Sequence, residues 1–308
     1  WRRRIPDSGT TLSQFLSTLS LTPGERVHMV GHSMGGLLGR AYLEQQLAYN
    51  KLDRFMTVGS PHQGTAFAYP AWSGGEIWND NFLMRVGLTS IIKLCGLAHG
   101  KNDREAVRTF APSTQQLLPR ASYLRDVSSG LLKDVNQMDA LNDWQINPNL
   151  SSPFYGVTLG TLSGSGFDSL DKIIVKDRNK RDERLGNWAD GKPFKNEYTT
   201  AGDGTVLLNS SEIIGNNIIN RTIIQDHTGL IASAQGINEI ISFLQGNTAP
   251  LSATVSPAPT ISSALLVIGY PASVSVINPD GAILRDTQGL VGIPNPKKGA
   301  YSIVISPK

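Results

Sequence analysis

Cysteine is almost absent: Cys95 is the only one among 308 residues. A single thiol forms no intrachain disulfide, so it says nothing decisive about the redox compartment. Long hydrophobic runs are missing too, and no uncharged apolar stretch reaches the roughly eighteen residues that a membrane-spanning helix needs. No Cys/His cluster has zinc-ligand spacing, so no metal is expected, while a structural calcium stays open. There is no glycine-rich phosphate loop, and no redox or nucleotide cofactor is called for. The net charge of +3 is modest and spread along the chain. Without a basic patch interleaved with aromatics, it gives no reason to expect a nucleic-acid partner. The mixed-sign run 176–184, KDRNKRDER, reads as a solvated loop. Histidine is scarce as well, five in all, which makes elimination possible.

What is present is glycine, 31 residues of it, and 40 % hydrophobic residues, enough for a sizeable core. The most informative stretch is 26–38, RVHMVGHSMGGLL. Val27, Met29 and Val30 form a short β-prone run. Beyond it Met34, Leu37, Leu38, Ala41 and Gln45 follow helical spacing, the first four apolar. The turn between them carries Gly31-His32-Ser33-Met34-Gly35. A strand-to-helix turn this tight strains the serine backbone and puts Ser33 forward as an attacking hydroxyl. A side chain at Gly31 or Gly35 is expected to collide with the neighbouring strand or helix. The same pattern also suits a plain glycine-rich turn in any parallel α/β unit.

A serine hydroxyl is a poor nucleophile until a base takes its proton, and the usual base is a histidine held by a carboxylate. His28 lies on the strand entering the turn, and His32 is adjacent to Ser33, so its ring points elsewhere. His62 follows the strand-like RFMTVGSP, and His99 sits in an apolar helical region. His227 follows RTIIQ at 221–225, the last strand-like run before a helical pattern over 229–245. In hydrolases built on such an elbow the order is serine, acid, histidine, with the histidine after the final strand. Only His227 fits that place. The acid has several candidates. Asp168 and Asp171 follow the strand-like FYGVTLGTL, Asp226 is too close to His227 to reach its ring, and Asp203 sits between glycines in AGDGTV. A lone Gly-Asp-Gly is also an ordinary turn.

Five stretches, taken in order, resemble the α/β-hydrolases of the lipase type. They are GHSMGG at 31–36, TVGSPHQGT at 57–65, APSTQQLLP at 111–119, AGDGTV at 201–206 and DHTGLI at 226–231. The chain is most similar to the branch of lecithin:cholesterol acyltransferase-like phospholipases and their bacterial relatives. Their co-occurrence in order is far more specific than any one of them. The resemblance implies Ser33 as nucleophile, Asp203 as orienting acid and His227 as base. It also implies that the Met34 backbone N–H donates to the oxyanion, with the second donor absent from this chain. Relatives carry several strands ahead of the elbow. Residues 1–30 read instead as WRRR, a turn over 6–9, and one helix whose Leu12, Phe15, Leu16 and Leu19 share a face. The expected fold is therefore α/β, an α/β-hydrolase with a mostly parallel sheet that is truncated on its N-terminal side.

The hydrolase domain is read as 1–246, with a helical cap insertion at about 66–150. That insertion is rich in Trp72, Ile77, Trp78, Phe82, Leu83, Ile91, Ile92, Leu94, Leu97, Leu131, Leu132, Val135, Met138, Leu141 and Trp144. Most of these read as helical core, and the segment as a lid offering an acyl-chain surface. Ser113 with Gln116 has the spacing of a capping box. Residues 247–261 form a Pro/Ser-rich linker. Residues 262–308 alternate in period 2 and turn at Pro279-Asp280-Gly281, as a small β-sandwich-like module does. This module is similar to C-terminal β modules of secreted or surface bacterial enzymes, which points to an extracellular or cell-surface location. The expected activity is serine-dependent hydrolysis, or acyl transfer, of a lipid or other acyl ester. Contact with a membrane or cell surface would run through the cap or the C-terminal module. The alternatives are a thioesterase or amidase with the same triad, or a noncatalytic surface-binding protein on a hydrolase scaffold. Oligomeric state is not legible.

Overall fold

The computed structural model describes residues 1–45, 51–78, 82–146, 156–249, 264–268, 273–286, 290–294 and 296–306. The chain divides into two compact units, Trp1–Asp80 with Leu88–Ala258, and Asn81–Gly87 with Pro259–Lys308. The first unit opens with α1 (Ile5–Ser17), β1 (Val27–His32), α2 (Met34–Gln45) and β2 (Leu52–Val58). There follow α3 (Ala68–Gly74), most of α4 (Phe82–Ala98), α5 (Asp103–Phe110), α6 (Ser113–Gln116) and β3 (Leu124–Asp126). It ends with β4 (Thr158–Gly164), β5 (Ser169–Lys176), α7 (Lys180–Arg184), β6 (Lys192–Thr199), α8 (Leu208–Ser211), β7 (Ile219–Ile223), α9 (Gly229–Ala232) and α10 (Ala234–Leu244).

β1, β2, β4 and β7 pair in that order, and every pair is parallel. This is the mixed α/β fold with a mostly parallel sheet that the motif order led us to expect. A parallel pair needs a crossover, and α2 supplies the one from β1 to β2. β2 lies inside the sheet, and its Leu52, Phe55, Met56 and Val58 are buried, as a strand covered on both faces requires. α10 lies close against β4, because a Cβ on Gly160 would stand 2.5 Å from the Phe243 ring. It is also pinned to β7. Arg221 Nη1 donates to Glu239 Oε2 at 2.9 Å and to the Glu239 carbonyl at 2.6 Å, with both side chains wholly buried.

A second sheet, β3-β5-β6, joins β3 parallel to β5 and β5 antiparallel to β6. Its buried face makes a core of Tyr69, Trp72, Leu118, Tyr123, Leu124, Val135, Met138, Leu170, Ile173, Val175 and Trp188. Trp72, Val135 and Met138 of the expected cap thus share one core with residues 170–188, while Ile92 packs with Ala106 and Val107, and Trp144 with Ile5 and Leu37. Trp72, Ile91, Ile92, Val135, Met138 and Trp144 are buried, while Leu94, Leu97, Leu131, Leu132 and Leu141 are exposed. The side chains of Phe82 and Leu83 lie outside the described residues.

Four local expectations are corrected. The turn expected over 6–9 is the first part of α1, because Pro6 is tolerated in the first turn, where no intrahelical N–H is needed. Gly9 lets α1 cross α2 closely, since a Cβ there would meet Ala41 at 2.9 Å. Phe15 is not on the buried face: it is exposed, and Leu16 is buried. Ser113 and Gln116 form no capping box, for Pro112 is the N-cap of α6. Their side chains instead hold the N-terminal segment, Ser113 Oγ donating to the Trp1 carbonyl and Gln116 Oε1 accepting from Ile5 N–H. The run 176–184 is not a plain loop, because Asn179 caps α7 by accepting from Arg181 and Asp182 N–H. That capping box needs only Asn and Asp three apart, a signal hidden among charges.

The second unit holds β8 (Ala264–Ile268), β9 (Ser273–Ile277), β10 (Ile283–Asp286), β11 (Leu290–Pro294) and β12 (Ser302–Ser306). β10-β9-β12 form an antiparallel sheet and β11 pairs antiparallel with β8. Val274 and Val276, alternating on β9, are buried with Val291. The β9–β10 turn is closed by Asn278, whose side chain accepts from Asp280 and Ala282 N–H, and Gly281 supplies the positive φ of 82°. Most of the linker read at 247–261 lies outside the described residues. No helix among the described residues is long and apolar enough to cross a membrane.

Removing one member of the Arg221–Glu239 pair strands a buried charge. Glu239→Ala is expected to lower unfolding free energy by about 3–5 kcal/mol, read from urea unfolding. The double variant Arg221→Met/Glu239→Leu is expected to recover most of that loss.

Candidate active site

The elbow stands at the C-terminal end of β1. Ser33 has φ 54°, one of three non-glycine residues with positive φ among the described residues. Its N–H donates to the Val58 carbonyl at 2.8 Å, and its own carbonyl accepts from Gly36 N–H at 3.1 Å. The strand thus turns into α2 with no residue to spare, which is why the serine is strained. A Cβ on Gly31 would lie 2.6 Å from the Gly36 Cα, as expected of a position pressed against the helix. At Gly35 the expectation fails, for a Cβ there meets nothing within 4 Å. The crowded partner is Gly36, where a Cβ would stand 2.0 Å from Ser60 Oγ and 3.0 Å from the Gly31 carbonyl. Helix rotation decides this. Gly36 faces β1 and the turn after β2, while Gly35 is exposed. Met34 opens α2, so its N–H is among the helix-start donors that lack an intrahelical partner.

Asp203 and His227 meet. His227 Nδ1 lies 2.7 Å from Asp203 Oδ2, and His227 N–H donates to the Asp203 carbonyl at 2.8 Å. The carboxylate is buried, and its other oxygen accepts from Thr205 N–H at 2.9 Å and Val206 N–H at 2.7 Å. An ionised carboxylate only accepts, so the proton of His227 sits on Nδ1 and Nε2 is the ring's basic atom. Two glycines make room. A Cβ on Gly59, at the end of β2 with φ 55°, would stand 3.1 Å from both Asp203 Oδ2 and His227 Nδ1. A Cβ on Gly164, at the end of β4, would stand 2.6 Å from the Asp203 Cβ. The elbow joins this pair through His32. Its Nε2 donates to the His227 carbonyl at 3.0 Å, and the two rings are 4.7 Å apart between centroids. Ser33 is the next residue along the chain.

The remaining candidates stand elsewhere. Asp168 is exposed, and Asp171 accepts from Lys172 Nζ at 2.6 Å. Asp226 accepts from Gly229 N–H and so tightens the turn into α9. His28 faces Asp53 at 3.6 Å, and His99, in the turn just after α4, bonds the Cys95 carbonyl of that helix. His62 is buried, with Nε2 3.0 Å from Thr57 Oγ1 and Nδ1 3.5 Å from Arg40 Nη1. Burial holds it well below the ordinary 6.5, and the charges of Arg40 and Arg120 add to this. Burial also lowers His32, with His227 adding to the effect. Among the described residues no group of three or more His, Cys, Asp or Glu is placed to hold a metal ion. Gly59 and Gly36 lie within the quoted motifs without an assigned task and Gly164 lies just beyond FYGVTLGTL, because their tasks are contacts between distant segments.

A family model described as palmitoyl protein thioesterase matches residues 10–155, just under half of the chain. That stretch includes the elbow and stops short of Asp203 and His227. No curated protein matches the sequence. The propeptide form of the Bacillus licheniformis lipase BlEst2 is similar in structure, with a TM-score of 0.41 and 16 % identity over 99 % of this chain. The chain spans 62 % of that structure's length. The mature form of the same lipase gives 0.38 and 14 %, covering 79 % of this chain and 74 % of that one. A chain of the Tle4–Tli4 complex gives 0.37 and 14 %, covering 68 % and 57 %.

Gly36→Ala is expected to cost on the order of 1–3 kcal/mol by overpacking, whereas Gly35→Ala folds with nearly unchanged stability; thermal unfolding of the pair separates them. The neutral imidazole of His62 sets the sign of a second test. The folded chain resists protonation there and the unfolded chain does not, so this stabilisation is full above pH 6.5 and is lost as pH falls below it. His62→Gln is expected to flatten the acid-side fall of unfolding free energy, measured by urea titration at a series of pH values.

Proposed function

We propose that the chain is a serine hydrolase of carboxylic esters, with Ser33 as nucleophile, His227 as base and Asp203 as its orienting acid. The observation that carries this reading is the buried Asp203 carboxylate bonded to a half-buried His227, a pair that His32 ties to the strand-to-helix turn carrying the strained Ser33. Asp203 keeps the Nδ1–H tautomer and stabilises the imidazolium that forms. His227 Nε2 takes the Ser33 proton as the hydroxyl adds to the ester carbonyl, and returns it to the leaving alcohol. The acyl-enzyme then passes to water, or to a second alcohol in acyl transfer. The Met34 N–H at the start of α2 suits one oxyanion contact. The parallel sheet, the elbow after β1 and the histidine after β7 together follow the α/β-hydrolase order.

The acyl group is proposed to be a lipid chain. The lipase-type motifs and the family model named for a palmitoyl thioesterase support this choice. That family match also favours a second reading, thioester cleavage by the same triad. The difference lies in the leaving group, a thiolate that departs more readily than an alkoxide and asks less of the general acid.

A fluorophosphonate probe is expected to label wild type at Ser33 and to leave Ser33→Ala unlabelled. Asp203→Asn is expected to slow both labelling and ester turnover about 10⁴-fold, by loss of the correct tautomer. Absence of Ser33-dependent labelling would favour a noncatalytic binding protein instead. Paired oxygen esters and thioesters of one acyl chain decide between the two enzymatic readings, and p-nitrophenyl esters of rising length test the lipid chain, with activity on acetate alone counting against it.

A further inference from the structure

His227 belongs to the short turn between β7 and α9, a place where backbone position is set by a few hydrogen bonds. Three of its polar atoms have partners. Its N–H and its Nδ1 are both held by Asp203, through the carbonyl at 2.8 Å and Oδ2 at 2.7 Å. Its carbonyl is held by His32 Nε2 at 3.0 Å. The base is therefore gripped from opposite sides of its own peptide, by the acid loop on one and the elbow strand on the other. A carbonyl only accepts, so His32 carries its proton on Nε2 and is a fixed donor. His32 directly precedes Ser33, so this bond ties the His227 backbone to the residue beside the serine.

We propose that His32 is a positioning residue, tying the His227 backbone to the elbow so that the ring stays in reach of Ser33. The proposal rests on the serine-hydrolase reading above. The ring faces His227 and the charge of Asp203. A neutral His32 adds no positive charge beside the imidazolium formed during turnover, a suitable neighbour for a base. Losing the tie lets the turn drift. Misplacement of about 1 Å in a catalytic group costs as much as 10²-fold in rate.

The test compares two side chains of equal reach, one with a donor and one without. Gln places a carboxamide N–H four bonds from Cα, where His32 has Nε2, and Met fills similar space with none. His32→Met is expected to lower kcat about ten- to a hundred-fold with KM nearly unchanged, and His32→Gln to retain most of the wild-type rate. A second readout needs no turnover: the downfield imidazole Nδ1–H proton of His227 by NMR. It is expected to be sharp in wild type and His32→Gln, and exchange-broadened in His32→Met. Equal behaviour of Met and Gln in both readouts, whether both kept or both lost, overturns the proposal. If wild type shows no Ser33 labelling while the proton signal still follows the donor, the tie stands and the hydrolase reading falls.

Discussion

The carboxylate of Asp203 is the constraint on which the site depends. One oxygen is saturated by the Thr205 and Val206 N–H groups and the other by His227 Nδ1. Its backbone is used as well, since the carbonyl accepts from His227 N–H and the N–H donates to Val206. A buried charge is tolerable only when its acceptors are filled, and here all the donors come from one local loop and one imidazole. The loop itself is tied on two sides. Gly204 N–H donates to Ser169 Oγ at 2.8 Å, and Thr65 Oγ1 donates to the Thr205 carbonyl at 3.1 Å. Asp203 is therefore held both by its own loop and by the segments at Ser169 and Thr65.

The strands β1, β2, β4 and β7 arrive at the site with parallel polarity, and this explains how the elbow, the Asp203 loop and the His227 turn come to one end of the sheet. β1 ends at the elbow, β2 at Gly59, β4 at Gly164 and β7 just before His227. A parallel sheet gathers all its C-terminal ends on one edge, where the loops that follow are neighbours in space. Close approach then demands the absence of side chains at the strand ends. Gly59 and Gly164 meet that demand against Asp203 and His227, and Gly31 with Gly36 meets it between β1 and α2. The wholly buried Arg221–Glu239 pair and the Phe243 contact with Gly160 hold α10 against β7 and β4, so the turn bearing His227 leaves a fixed support.

Much of this was legible in the chain, for reasons that differ by residue. Val27 to Leu38 declared itself because strand, turn and helix are each local patterns, read from neighbours a few positions apart. His227 was found by elimination among five histidines and by its place after the last strand. Asp203 was different. Its neighbours Gly202 and Gly204 signal a turn, and only the set of motifs in order raised it above Asp168 and Asp171. Gly35 misled because both glycines look alike in GHSMGG, while helix rotation turns one to solvent and the next into Ser60. Ser113 and Gln116 misled for a similar reason. Capping-box spacing was present, but a hydrogen bond to Trp1 and another to Ile5, more than a hundred positions away, claimed the side chains.

The sequence alone determined the α/β periodicity, the elbow, the chemical identity of three candidate residues and the alternating strands of the C-terminal unit. The periodicity, the elbow and the alternating strands depend on side chains within one turn of helix or a few residues of strand, where steric preference and polarity act locally, while Asp203 and His227 were picked out by their order along the chain. Tertiary structure alone decided that Asp203 Oδ2 meets His227 Nδ1, that β3 joins β5, that Trp72, Val135 and Met138 of the expected cap share a core with residues 170–188, and that His32 bonds the carbonyl of residue 227. Each of those joins segments far apart in the chain, and which partner wins is settled by packing of the whole core, a quantity that no short window of sequence contains.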